Sequence, residues 1–597
     1  MRPFFRAVFV IIASVAVVLF LSRIQPAWPR VRFASSTGAV DDQGCSNDAG
    51  LMLPGGFCGT VFADGIGHAR DMVVAPNGVV YVNTWSSRYY GNKPPHDDGF
   101  LVALQDTTSL GKANVVERFG ETPQSGGVGG NGIALYKNAI YAEINDRIVR
   151  YSLTSGSIVP NDAGVTVVSG LPLTGDHPMH PFVIDSKGEI FVDVASPSNA
   201  CQQKNRVAGS PGKNPCLELE TRGGVWVYDA NKTNQAFSRA ERYATGIRNA
   251  EGMAFDADGR LFVTQHGRDQ LHANWPNLYR PDQEATLPAE QLMLLKKGAD
   301  YGWPECYYDP FVEKLVLAPE YGGDGKKVGV CTDKVAPIAV FPAHWAPNGM
   351  AHYDEKQFPA RYQKGVFIAF HGSFDRAPYP QGGYNVVFQP LDGDHAAGQC
   401  EIFADGFAGA VKSPAGAAHR PSDLAVGPDG ALYVSDDLTG RIYRIVYRGG
   451  AGAGTNITPC PSAASPAGEI ERDNANPPEG THPNAGKPNG NVAVPEGATR
   501  AMVAPGQRIY RGQVGAASCT GSHGENADGT PLGPDLTSGN GLWSDGSYKG
   551  IAKTISEGVP QPKFYRAPMP PLGGTSLTSG QVNAVAAYLW SLNHGTK

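Results

Sequence analysis

Gly246-Ile-Arg-Asn-Ala-Glu-Gly-Met-Ala-Phe-Asp-Ala-Asp-Gly-Arg-Leu-Phe-Val-Thr-Gln-His-Gly267 is the stretch that decides the architecture. It opens on a polar cluster, Arg248, Asn249 and Glu251, and runs into a short apolar segment, Met253 to Phe255. The turn Asp256-Ala-Asp258-Gly259 follows, then a second apolar run, Leu261 to Thr264, and a closing cluster, Gln265-His266-Gly267. Asp-Gly between two alternating apolar runs predicts a β-hairpin, because glycine supplies the positive φ that such turns require. The antiparallel return brings the two polar clusters to one end. Arg248, Asn249 and His266 are therefore expected to be neighbours.

The pattern repeats. It returns at Met72 to Val82, Phe182 to Val192 and Leu424 to Val434, and in weaker form at Gly132 to Ala142 and Gly349 to Ala369. About six units, spaced by roughly 50–100 residues, predict an all-β, six-bladed β-propeller. A blade cannot bury both of its faces alone, so the blades close into a ring, and the loops at one end converge on a central funnel.

The 597 residues exceed one ordinary domain, and 75 glycines and 47 prolines suit many short strands and turns. A net charge of −6 leaves no basic footprint for nucleic acid. Met1 to Arg6 is cationic and Ala7 to Leu21 apolar apart from Ser14, so residues 1–30 are expected to be a signal peptide or an inner-membrane anchor. Eight of the nine cysteines fall into pairs, 45/58, 201/216, 306/331 and 400/460. Disulfides at these pairs suit a periplasm, with buried free thiols as the alternative. Cys519 is left over.

The propeller is expected over residues 45–447. Residues 448–500 are rich in Gly, Pro, Ala, Asn and Ser and read as a linker. Residues 501–597 read as a small all-α domain, with a helix expected from Gly512 towards Cys519. At its end Thr578-Ser-Gly-Gln581 forms a capping box before Val582, Val585, Ala586 and Leu589 on one helical face.

Within that domain Cys519-Thr-Gly-Ser522-His523 resembles the Cys-x-x-Cys-His attachment motif of c-type cytochromes. Gly533-Pro534-Asp535-Leu536 and Ala567-Pro568-Met569-Pro570-Pro571 are similar to the family's loops beside the haem. The resemblance implies haem c with His523 and Met569 as axial ligands. Ser522 stands where the second thioether cysteine belongs. Haem held through Cys519 alone and loss of covalent haem both stay open.

Met72 to Tyr447 resembles the soluble quinoprotein glucose and sorbosone dehydrogenases, six-bladed propellers that use pyrroloquinoline quinone (PQQ). The resemblance is carried by Gly175-Asp176-His177-Pro, Gly246-Ile-Arg248-Asn249, Thr264-Gln-His266-Gly267, Ala299-Asp-Tyr-Gly-Trp-Pro304, His371-Gly-Ser-Phe-Asp-Arg376 and Arg420-Pro-Ser-Asp423. It implies His177 as the catalytic base with Asp176 orienting it, and Arg248 and Asn249 on the quinone. Backbone carbonyls around His266 and Gly267 would hold Ca2+ on the cofactor, and Arg376 and Arg420 would clamp its carboxylates. The cofactor-binding lysine of some members has no obvious counterpart.

A neutral imidazole suits removal of a sugar hydroxyl proton, and a cation stabilises charge on the acceptor. The implied protein is an exported quinohaemoprotein that oxidises an aldose, a sorbosone-like sugar or a related alcohol. Its electrons would pass through haem to a respiratory acceptor. A metal-dependent lactonase and a non-catalytic sugar-binding propeller with a degenerate cytochrome domain are the competing classes.

Overall fold

The structure is a computed structural model. It describes residues 49–465 and 494–594, apart from stretches at 85–95, 97, 123–129, 374, 377–378, 411, 413–416, 451–452, 513, 515–518, 525–526, 528, 530–532, 538–542, 560–568 and 575–576. The leader at 1–30 and Cys45 lie outside the described residues.

Six antiparallel blades form in chain order. Their innermost strands are Met72–Val74, Ile133–Tyr136, Phe182–Ile184, Met253–Phe255, Pro347–Tyr353 and Pro421–Val426. Each pairs with the strand after it, so all six hairpins expected from the repeat are present. In the organising stretch Met253 faces Val263 and Phe255 faces Leu261. Gly246 opens that stretch at φ 77°, where a Cβ would lie 2.2 Å from Asp300 Oδ1 and 2.7 Å from the Tyr301 amide. No other residue fits there.

Alternating apolar residues on the strands bury the core between neighbouring blades. Val192, Val194 and Trp226 of the third blade pack with Tyr141 and Ile148 of the second, all buried. An aromatic cluster of Phe57, Phe358, Phe367 and Phe403 fills the gap between the fifth and sixth blades. The ring is closed by the N-terminal strand, Phe57–Ala63, which pairs with Arg441–Tyr447 of the last blade.

The propeller does not end at Tyr447. Thr458–Pro459 adds to the edge strand Glu401–Ala404 of the fifth blade, and Cys400–Cys460 locks that addition. The first part of the expected linker is therefore fixed on the fifth blade. The pairs 201/216 and 306/331 are also disulfides, Cys58 is disulfide-bonded, and Cys519 is free.

The C-terminal domain is helical, with Arg500–Tyr510, Cys519–His523, Tyr548–Glu557 and Ser579–His594. Its first long helix precedes the expected Gly512 start, because Met502, Val503, Ile509 and Tyr510 supply the apolar face. That helix crosses the last one at Gly506, where a Cβ would lie 1.9 Å from the Ala584 carbonyl oxygen. The expected capping box forms: Gln581 N–H donates to Thr578 Oγ1, and Thr578 N–H donates to Gln581 Oε1. Val582, Val585, Ala586 and Leu589 are buried as expected. No helix among the described residues is long and apolar enough to cross a membrane.

Candidate active site and haem crevice

Loops entering the innermost strands and loops leaving their partners lie at one end of the ring. Arg248 and Asn249 precede one inner strand, and His266 and Gly267 follow its partner. His266 N–H donates to the Asn249 carbonyl at 3.0 Å, and Arg248 Nη1 donates to the Gly267 carbonyl at 2.9 Å. The neighbours expected from the hairpin are thus neighbours.

His177 joins them from the third blade. Its Nδ1 lies 2.7 Å from the Ser196 carbonyl, and Ser196 N–H donates to the Arg248 carbonyl at 2.7 Å. A carbonyl only accepts, so Nδ1 carries the proton in the neutral ring and Nε2 carries the lone pair. The His177 ring is 9% exposed. Its loop is braced by the buried Arg222, which donates to the carbonyls of Thr174, His177 and Ala195. Asp176, expected to orient the imidazole, is engaged by Arg206 at 2.9 Å. Ser196 contacts Nδ1 through its carbonyl.

Arg206 also pairs with Asp269 at 3.0 Å, and Arg248 meets the same oxygen at 3.2 Å. Burial opposes the Asp269 charge, but the Arg248 and Arg206 guanidinia outweigh it and hold that carboxyl well below the usual range. Arg248 further donates to the backbone and side-chain oxygens of Asn199. Trp303, in the Tyr-Gly-Trp-Pro stretch, also donates to the Asn199 carbonyl.

A second network reaches the site from the first and last blades. Arg70 is 2% exposed and bonds Asp437 at 2.7 Å, Glu251 at 2.9 Å and Asn131 at 2.6 Å. His371 Nε2 lies 2.8 Å from Asp437. Burial and the nearby Arg420 push the His371 pKa down to about 4, so the ring is neutral and Nε2–H donates to Asp437. Glu251 accepts from Asn249 at 3.4 Å. The two networks therefore meet at the peptide joining Arg248 to Asn249.

Arg420 donates to the carbonyls of His371 and Gly372 and lies over the Tyr384 ring. Arg376 donates to the carbonyls of Ala285, Ala343 and Pro380, and its Nη2 is a buried donor without a partner. Neither guanidinium forms an ion pair with a carboxylate among the described residues. Two such charges and an orphaned donor fit an anionic cofactor such as PQQ.

The expected calcium seat is partly engaged within the protein. The Gly267 carbonyl is taken by the Arg248 guanidinium and the Gly267 N–H by Glu290, while His266 Nε2 contacts the Pro347 carbonyl.

Arg70, Asp437, Arg206 and Asp269 are absent from the site read in the sequence. Two of them had a usable signal. Arg70 occupies the slot before Met72 that Glu251 occupies before Met253, and Asp437 follows its second strand as His266 does.

In the helical domain His523 Nδ1 lies 2.9 Å from the Pro534 carbonyl, which leaves Nε2 to an iron. Gly533 permits this approach, since a Cβ there would lie 3.0 Å from the His523 ring. Burial lowers the His523 pKa, against the opposing bond with the Pro534 carbonyl. Met569 forms a two-way backbone bridge with Val559 and packs, like Cys519, Leu536 and Leu572, against the domain core. These residues fit a haem held by Cys519 and ligated by His523 and Met569. Ser522 offers no second thioether.

Comparison with known proteins places these features. Residues 128–448 match the TrAA12-like family and residues 503–593 match cytochrome c. An aldose sugar dehydrogenase, YliI of Escherichia coli strain K12, is 24% identical over 279 residues, which are 46% of this chain and 61% of that protein. An uncharacterized protein of Borreliella burgdorferi is 27% identical over 222 residues, 36% of this chain and 51% of that one. The chain thus spans between half and two thirds of the length of these curated relatives. Among solved structures, a Trichoderma reesei enzyme of carbohydrate-active family AA12 has a TM-score of 0.53 at 17% identity, covering 67% of this chain and 98% of its own. The holo pyranose dehydrogenase PQQ domain of Coprinopsis cinerea has a TM-score of 0.50 at 18% identity, covering 66% and 97%. These likenesses show the fold. With more than half of its length matched by the family, the chain belongs to the TrAA12-like proteins, as a six-bladed propeller of the PQQ sugar-dehydrogenase type joined to a cytochrome c domain.

Proposed function

We propose that the protein is an exported quinohaemoprotein that oxidises an aldose or related sugar at a C–OH group. One observation carries the reading. Ser196 ties the imidazole of His177 to the backbone of Arg248, so a base and a fixed guanidinium share one funnel.

His177 Nε2 accepts the sugar hydroxyl proton, and the Ser196 carbonyl holds Nδ1–H and stabilises the imidazolium that forms. Arg248 keeps a fixed positive charge beside the acceptor, its orientation locked by Asn199, Gly267 and Asp269. Asn249, Arg376 and Arg420 are the further residues assigned to PQQ. When bound, the quinone supplies the two-electron acceptor and the haem a one-electron outlet towards a respiratory acceptor. Cys519, His523 and Met569 are assigned to haem c. The tether raises the concentration of the cytochrome domain at the propeller.

Three disulfides and a c-type cytochrome domain point to an extracellular or periplasmic protein. Residues 1–30 are assigned to export, with retention as an inner-membrane anchor the second possibility.

The test is an absorption spectrum of the full chain from a host with haem-c maturation, recorded with and without PQQ and candidate sugars. A haem band reduced by sugar only when PQQ is present supports the reading. Lactone hydrolysis with metal alone, and no sugar-dependent reduction, overturns it in favour of a hydrolase.

A further inference from the structure

Asp269, His344 and Asp375 come from three loops at the active end of the fourth and fifth blades. Each presents a donor atom, and these atoms lie within 4.8 Å of one another. The three make no hydrogen bond or ion pair with each other among the described contacts. His344 is 7% and Asp375 5% exposed, and the Asp269 side chain is 20% exposed.

Each ligand atom is prepared. His344 Nε2 lies 2.8 Å from the Glu284 carbonyl, so Nε2 carries the proton and Nδ1 keeps the lone pair. Such an outer contact to a carbonyl is what orients metal-bound histidines. Asp269 spends Oδ2 on Arg206 and Arg248, and no hydrogen bond of Oδ1 occurs among the described residues. Asp375 Oδ2 is buried without any hydrogen-bond partner. A buried carboxylate oxygen in that state costs several kcal/mol unless a proton or a cation satisfies it.

Other groupings are weaker. Cys201, Cys216 and Glu218 also cluster, but those sulfurs are joined in a disulfide and are not thiolate ligands.

We propose that Asp269, His344 and Asp375 form a binding site for one divalent transition-metal ion, Mn2+ or Zn2+, held by two carboxylates and one imidazole. One nitrogen donor among oxygens favours these ions over Ca2+, which takes six to eight oxygens. Asp375 brings a carboxylate charge that no ion pair engages among the described residues, whereas Asp269 shares its charge with Arg206 and Arg248. The site lies beside the guanidinium network of Arg206 and Arg248 and is distinct from the backbone-carbonyl seat at Gly267.

The inference stands apart from the redox reading, because the test needs neither quinone nor sugar. Full-length protein stripped with a chelator is dialysed against MnCl2, with ZnCl2 and CaCl2 as competitors. One Mn2+ per chain is expected, displaced by Zn2+ and poorly by Ca2+. His344→Gln and Asp375→Asn should each weaken binding at least about tenfold, with thermal melting retained. In the wild type, pulsed electron paramagnetic resonance of bound Mn2+ should show coupling to one imidazole nitrogen, a readout that does not depend on either variant folding. Absence of stoichiometric Mn2+ binding, unchanged affinity in both variants, absence of nitrogen coupling, or tighter binding of Ca2+ would each overturn the assignment.

Discussion

The funnel of the propeller and the crevice of the cytochrome domain hold their groups in different ways. His177, Arg248, Arg70 and His371 stand on loops of different blades. They are held by buried charge: Arg70 alone bridges Asp437, Glu251 and Asn131. The crevice uses one short helix and two loops. A single carbonyl, from Pro534, orients His523, and a backbone bridge to Val559 fixes Met569. A site assembled over a ring depends on every blade and on neutralisation of buried charge. A site built from a local motif depends on a few close backbone approaches, such as Gly533 against His523.

The contrast can be broken by experiment. The largest effect belongs to the crevice. His523→Ala should abolish the haem band of the matured protein, while PQQ-dependent reduction of an artificial dye by the propeller persists. Loss of both activities together would mean that the two regions are not separable. Next, His177→Ala should lower sugar-dependent dye reduction by about 10²–10⁴-fold and leave the haem spectrum intact, as measured by steady-state kinetics.

Arg70→Met removes one partner from a buried network and strands Glu251 and Asp437. It should destabilise the propeller by about 3–5 kcal/mol, read as a lower midpoint in denaturant with the haem band unaffected. A change within 1 kcal/mol, roughly the scale of an exposed pair, would show that the network carries no such weight.

A smaller effect concerns pH. Burial, against an opposing bond from the Ala250 N–H, pushes the Asp193 pKa up to about 8 from its ordinary 3.8. Burial likewise pushes Asp423 up to about 7, against bonds from the Met72 and Leu424 amides. The folded state then holds protons that the unfolded state releases. The stability these groups contribute is full below pH 3.8 and is lost as pH rises towards 7–8. Asp193→Asn should flatten that decline in melting curves taken between pH 3.8 and 8, the ordinary and raised values for Asp193; an unchanged slope would exclude Asp193 as its source. The smallest effect should follow Ser522→Cys. A second thioether would shift the reduced haem band slightly, and an identical pyridine haemochrome spectrum would show that the new thiol does not attach.

Legibility in the sequence follows the same division. The ring was readable because hairpin turns recur between alternating apolar runs, and the helical domain because Cys519-Thr-Gly-Ser-His523 and the loops at Pro534 and Met569 resemble a known motif. Arg248, Asn249 and His266 were readable as a group because one hairpin return brings them together. Arg206, Asp269 and His344 were not. Their partners come from other loops, and a lone polar residue beside a strand reads as ordinary turn chemistry. Asp176 is also engaged by Arg206, a partner from a distant loop that no local pattern announces. The end of the propeller was misplaced because Thr458–Pro459 is too short and too proline-rich to show a strand's alternation, although Cys400 and Cys460 marked a link there.

The pairing of Phe57–Ala63 with Arg441–Tyr447 joins the first strand among the described residues to the closing strand of the sixth blade. During synthesis the first strand waits with its edge unsatisfied until all six blades have emerged. Another molecule's final blade presents the same complementary edge in that interval. Exchange of this strand between two chains is thus the misassembly to which the molecule is most exposed, and it would yield swapped dimers whose individual rings are each complete.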